Sequence, residues 1–172
     1  NKVFFFFFFL KNYIIKYKER EKMKLFIGAD HRGKELENYL FQSLKEAGID
    51  VEMSSIKNSE QDDYPDFAFD VCQNVLKDPA NLGILICGNG IGISIAANKV
   101  KGIRCARVVN EEDAHHAKNH NGANVIAFGG ISREEALNII KTFLNTKPAT
   151  EERHIRRINK IIDYENGAYN GL

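Results

Sequence analysis

The sequence predicts an α/β fold: a three-layer α/β/α sandwich built on a five-stranded parallel sheet, with an extra helix at the C-terminus. Three observations carry this expectation. Short apolar runs alternate with stretches of helical periodicity through most of the chain. The runs are continuously apolar rather than alternating, as in strands buried on both faces. At 172 residues, 44% hydrophobic and 27% charged, the chain is an ordinary globular sequence long enough for one sizeable core.

Residues 24–29 (KLFIGA) form the first strand, closing on small residues. Residues 33–47 place Leu36, Leu40 and Leu44 on one helical face, and Gly48 is the stop. Residues 50–54 (DVEMS) alternate as a short second strand. Residues 62–64 lead to Pro65 at a helix start, and Phe67, Val71 and Val75 continue that face. Residues 82–87 (LGILIC) are the clearest buried strand, residues 88–92 a glycine loop, and residues 93–99 the next helix. Residues 103–109 (IRCARVV) make the fourth strand, 111–119 a helix and 124–128 (NVIAF) the fifth strand. Ser132 and Glu135 form a capping box for a helix bearing Leu137, Ile140 and Leu144. Pro148 interrupts the chain, and residues 150–165 form a last, basic helix expected to dock rather than make a domain. With right-handed crossovers the arrangement is Rossmann-like. No linker divides it, so residues 23–172 read as one domain.

The net charge of +1 sums two unlike parts. Residues 1–22 hold six Lys or Arg against two Glu, and residues 23–172 hold 18 against 21 Asp or Glu. Six of the 12 Phe form the run Phe4–Phe9. The apolar run at 3–10 falls short of the roughly 20 residues a membrane span needs. No small-residue cleavage site follows it. The first Met is Met23, with strand-like sequence directly after it, so residues 1–22 are expected to be a leader, non-native or disordered. An acidic body is a poor nucleic-acid surface, and no membrane partner is expected.

Cys72, Cys87 and Cys105 are odd in number and form no Cys-x-x-Cys, which argues against a disulfide framework or structural zinc. Cys72 and Cys105 read as small core residues. Cys87 ends a buried strand directly before the glycine loop. A thiol at a helix N-terminus can act as base or nucleophile; the alternative is an inert buried thiol. The loop lacks Gly-x-Gly-x-x-Gly spacing, and no Gly-Lys-[Ser/Thr] follows. It offers either backbone amides for an anion or merely a tight turn. Asp30 and His31 at a strand end suit a hydroxyl and a phosphate, or else a helix cap with a neighbouring surface histidine. His115, His116 and His154 read as surface or packing residues, and no metal site is expected. Ligands of open parallel sheets bind beyond the carboxyl ends of the strands. Asp30-His31-Arg32-Gly33, Cys87–Gly92 and His120-Asn121-Gly122 are therefore expected on one edge, where they can converge.

Five motifs in order, G-A-D-H-R-G (28–33), D-Y-P (63–65), I-L-I-C-G-N-G-I-G-I-S-I-A-A-N-K (84–99), G-I-R (102–104) and N-H-N-G-A-N-V-I-A-F-G (119–129), resemble ribose-5-phosphate isomerase type B. That family also holds galactose-6-phosphate and allose-6-phosphate isomerases, and the resemblance covers residues 23–160. It implies a cytoplasmic aldose–ketose isomerase of the non-oxidative pentose phosphate pathway, working through an enediolate with no metal and no organic cofactor. It implies Cys87 as the base moving a proton between C2 and C1. The amides of Gly88, Asn89, Gly90, Ile91 and Gly92, with Ser94 nearby, would stabilise the enediolate oxygen. His120 would help open the furanose ring, with Asn121 and Tyr64 in ligand-binding positions. Asp30 would hold sugar hydroxyls or the carbonyl, and His31, Arg153 and Arg157 the phosphate. The resemblance also implies a homodimer, sometimes a tetramer, with each site shared between subunits and the last helix docked on the partner. Arg153 and Arg157, four apart on one helix face, repel each other until an anion lies between them.

Ile131 stands where many members carry Arg; either Arg133 compensates through a shifted loop or one contact is missing. Asn89 stands where Thr or Ser is common. Ile93 fills the place of a loop Glu that serves as base in members lacking the cysteine. Competing expectations are an isomerase of a six-carbon sugar phosphate and a catalytically silent sugar-phosphate binder. A nucleic-acid contact through Arg153, Arg156, Arg157 and Lys160 ranks last.

Overall fold

The computed structural model describes residues 23–171, so the leader expected at 1–22 lies outside the described residues. The elements run β1 (Leu25–Ala29), α1 (Lys34–Glu46), β2 (Val51–Met53), α2 (Tyr64–Val75), β3 (Leu82–Ile86) and α3 (Ile91–Ala97). They continue with β4 (Cys105–Arg107), α4 (Glu111–Asn119), β5 (Val125–Phe128), α5 (Arg133–Asn145) and α6 (Glu152–Glu165). All four strand pairings are parallel, in the order β2-β1-β3-β5-β4.

The continuous apolar reading of β3 has a direct cause. Ile84 and Ile86 point into the layer made with Leu40, Leu44, Leu137 and Phe143 of α1 and α5. Leu85 and Cys87 point the other way, onto Val71, Val75, Ile93 and Ala97 of α2 and α3. Both faces are covered, so the period of two leaves no polar position. The edge strands β2 and β4 are only three residues each, shorter than the predicted 50–54 and 103–109. Each has one neighbour, so pairing ends sooner there. Helix α3 starts at Ile91 rather than 93, because Gly90 completes the turn in a left-handed conformation (φ 76°).

Helix α6 lies against the amino edge of the sheet. The Gly102 N–H donates to Glu165 Oε2 at 3.2 Å, and the approach to α6 is tied down by Ala149 N–H to the Asn119 carbonyl at 2.8 Å. Among the residues of α6 only His154 is buried, while Ile155, Ile161, Ile162 and Tyr164 stay exposed. Among the described residues no helix is long and apolar enough to cross a membrane.

Candidate active site

The ends of β3 and β5 meet backbone to backbone. A Cβ on Gly90 would stand 2.7 Å from Phe128 Cα, and one on Gly129 would overlap the Cys87 carbonyl. This close approach sets the loop that holds the thiol. Cys87 is 6% exposed, and its Sγ accepts the Gly90 N–H at 3.2 Å. Asn89 Oδ1 accepts the Ile91 N–H at 3.0 Å, and the Asn89 carbonyl accepts Arg107 Nε at 2.9 Å. Ser94 Oγ donates to the Ile91 carbonyl at 2.8 Å, so its proton is used within α3. Tyr64 lies over Gly92, where a Cβ would come 2.7 Å from its ring. Arg32 covers Gly88 in the same way, at 2.8 Å from its guanidinium carbon.

The end of β1 joins this edge, since the Asp30 N–H donates to the Ile86 carbonyl at 3.2 Å. Buried Asp30 uses Oδ1 to accept the N–H groups of Arg32 (3.0 Å) and Gly33 (3.1 Å), forming the turn that opens α1. His31 is held through Asp62, whose Oδ1 accepts the His31 N–H at 2.9 Å and meets its Nδ1 at 2.7 Å. Asp62 Oδ2 accepts Asn58 Nδ2 at 2.9 Å and the Ser59 N–H at 3.2 Å. Burial pushes the Asp62 carboxyl up, but its hydrogen bonds from His31, Asn58 and Ser59 outweigh that and hold it at about 2. The same contact, chiefly the side-chain hydrogen bond, raises His31 above its ordinary 6.5 and favours the cation.

His120 does not join them. The expectation that His120-Asn121-Gly122 shares the edge of Cys87 fails, because α4 carries the chain back to the opposite edge before β5 begins. Val125 pairs with Gly83 at the start of β3. Cys87 lies four residues farther along, about 13 Å away at 3.3 Å per residue. Arg104, just before β4, confirms the placement by donating from Nη2 to the Gly122 carbonyl at 2.7 Å. Arg153 stands there too, its Nε 3.2 Å from His154 Nε2, and Arg157 lies one turn further along α6. Within one chain the two groups occupy opposite ends of the sheet.

His154 is not a bystander there: it is buried, 6% exposed, and its ring stacks on His120 with centroids 4.3 Å apart. Cys72 fits its packing role, with burial pushing its thiol up to about 12. Cys105 is only partly buried by its neighbours, and its thiol is likewise raised, first by burial and then by Cys72.

A family model described as Ribose/Galactose Isomerase matches residues 25–161. The chain belongs to the ribose/galactose isomerase family. Ribose-5-phosphate isomerase B of Mycobacterium tuberculosis is 38% identical over 146 residues, spanning 83% of this chain and 90% of that protein. A ribose-5-phosphate isomerase B structure from Clostridium thermocellum superposes with a TM-score of 0.79 at 39% identity, covering 84% of this chain and 99% of that one. The Mycoplasma genitalium enzyme, solved with bound ribulose-5-phosphate, gives 0.79 at 40% identity, covering 84% and 97%.

The family match spans all candidate residues from Asp30 to Arg157. At the Ile131 departure, Arg133 does line the same cavity as Cys87, Arg32 and Gly88, of about 360 Å³. Its guanidinium is engaged there, with Nη2 2.6 Å from Glu35 Oε1 and its carbon 4.8 Å from the Tyr39 ring centre. The sequence assigns no role of their own to Arg32, Asn58 and Asp62. Arg32 sits inside the motif G-A-D-H-R-G and Asp62 directly precedes D-Y-P, so position beside a motif was the available signal.

Proposed function

We propose that the chain interconverts ribose 5-phosphate and ribulose 5-phosphate, as a homodimer whose sites each draw on both copies. The observation that carries this is Cys87, whose sulfur is fixed by the Gly90 N–H at 3.2 Å beside the backbone of a glycine loop. As base, Cys87 removes the proton from C2 of the open-chain aldose and returns it to C1. The negative charge that develops on the enediolate oxygen meets the amides of the Gly88–Gly92 loop other than those of Gly90 and Ile91, whose N–H groups already bond Cys87 Sγ and Asn89 Oδ1. Asp30 stands beside the loop to hold a sugar oxygen. His31, whose cationic form Asp62 favours, takes part of the phosphate charge.

The remaining groups come from a second copy. His120, Asn121, Arg153 and Arg157 stand on the far edge of their own sheet, so they reach a Cys87 only across an interface. The exposed Ile155, Ile161, Ile162 and Tyr164 of α6 offer apolar surface for that contact. The ribulose-5-phosphate bound by the Mycoplasma genitalium relative supports the choice of substrate.

The test has two arms. Turnover is compared on ribose 5-phosphate, allose 6-phosphate and galactose 6-phosphate, with ribose 5-phosphate expected to be fastest. Cys87→Ala and His120→Asn are each expected to lose turnover by about 10²–10⁴-fold, the usual worth of a positioned acid or base. Co-expressed, they form mixed dimers with one intact site, so about a quarter of wild-type activity returns if subunits pair at random. Near-normal turnover by Cys87→Ala, or no recovery in the mixture, overturns the reading.

A further inference from the structure

We propose that His154 and His116 are positioning residues for His120: the three imidazoles form a stack that fixes the His120 ring and sets its affinity for a proton. The inference rests on the reading above, in which His120 opens the sugar ring. It takes in two histidines that the sequence suggests are packing or surface residues.

The geometry is specific. The His120 ring lies 4.6 Å from that of His116 with planes 14° apart, and 4.3 Å from that of His154 with planes 2° apart. His116 precedes His120 by four residues, so one helical turn brings the two rings to the same face of α4. His154 comes from α6 and closes the other side. It is buried, and its Nε2 accepts Arg153 Nε at 3.2 Å, so that lone pair is already used and faces a permanent cation. Two adjacent parallel rings cannot both take a proton without strong repulsion. A proton on His120 is therefore disfavoured most when a stacked neighbour already carries one.

His120 ends α4, where the exposed carbonyls would by themselves favour a charged imidazole. The groups facing it act in the opposite sense. From α4 these are His115 and His116; from α6 they are His154 and Arg153, behind which the Glu151 carboxylate at the start of α6 interacts with both His154 and Arg153. Desolvation, followed by these four, lowers His120 below its ordinary 6.5. Arg104 binds the Asn121 and Gly122 carbonyls beside it and adds no negative charge. A neutral, fixed imidazole can take the proton of the C1 hydroxyl as the bond from C1 to the ring oxygen breaks. The same proton then goes to that ring oxygen, so His120 ends as it began.

The experiment titrates the histidines of the full chain by NMR through their ring C–H signals, with His120 assigned by its loss in His120→Asn. The wild-type midpoint of His120 is expected below 6.5. In His154→Gln and in His116→Gln it is expected to rise toward that value, and the acid limb of kcat/KM to rise with it. His116 is exposed, so its variant keeps the test alive should the buried His154 variant fail to fold. An unchanged midpoint in a folded variant overturns the proposal. A midpoint that moves while the rate profile stays still supports the stack and instead overturns the catalytic role of His120.

Discussion

Gly90→Ala is the sharpest probe of how the fold makes the site. The substitution has two costs that the structure separates. At φ 76° a side chain is strained by about 1–2 kcal/mol. The new Cβ also stands 2.7 Å from Phe128 Cα and 3.0 Å from its C and N, all backbone of the central sheet. Overpacking against atoms that cannot rotate away adds about 1–3 kcal/mol. Gly48→Ala is the control: its φ is 82° but nothing lies within 4 Å of the Cβ, so only the strain remains. The clash at position 90 can be relieved only by moving the loop off β5, which carries the Gly90 N–H away from Cys87 Sγ and misplaces the amides. Loss of one such donor typically lowers kcat by about 10²–10³-fold. Urea unfolding at a single protein concentration, because assembly contributes to stability, and a ribulose 5-phosphate formation assay read the two effects. Gly90→Ala should be less stable than Gly48→Ala by about 1–3 kcal/mol, and it alone should lose turnover. Equal unfolding midpoints, or wild-type kcat in Gly90→Ala, refute the reasoning.

Asp62→Asn tests the clamp on His31 through pH. His31 is raised above 6.5, so its contribution to stability is full below that value and fades as pH climbs through the raised one. Asp62 is held at about 2 against 3.8, so its contribution is full above 3.8 and fades as pH falls toward 2. The gap in urea midpoint between wild type and Asp62→Asn should be widest between 3.8 and 6.5, shrink as pH falls toward 2, and narrow above the raised value of His31 without closing, because the bonds from Asn58, Ser59 and the His31 N–H persist; a gap independent of pH counts against the pair. On the proposed reading, Arg157→Met removes a charge-assisted bond to the phosphate, worth about 1.5–3 kcal/mol, and should raise KM by about 10–100-fold with a smaller change in kcat. An unaltered KM in steady-state assays would remove Arg157 from the phosphate site.

Much of the fold was legible because its signals are local. The strand at residues 82–87 could be read from its continuous apolar run, since both faces of the sheet are covered. The capping box at Ser132 is present as expected, with the Glu135 N–H 3.2 Å from Ser132 Oγ and the Ser132 N–H 2.8 Å from Glu135 Oε2. The short edge strands were less legible, because the apolar run at 103–109 continues past the point where a single neighbour can pair with it. The roles of Arg32 and Asp62 were not legible because an arginine packed over a glycine, or a carboxylate clamping a histidine 31 residues away, leaves no periodic trace.

By itself the sequence determined which groups stand together at the end of β3. A thiol, a glycine loop and a short helix are consecutive, so their neighbourhood is set by chain connectivity. The tertiary structure alone decided where the remaining candidate residues stand. His120 follows a helix that runs antiparallel to its strand, which sends it to the amino edge, and α6 brings Arg153 and His154 to it from far along the chain. Which edge a residue reaches depends on how helices pack across the sheet, and packing joins residues that no spacing in the sequence connects.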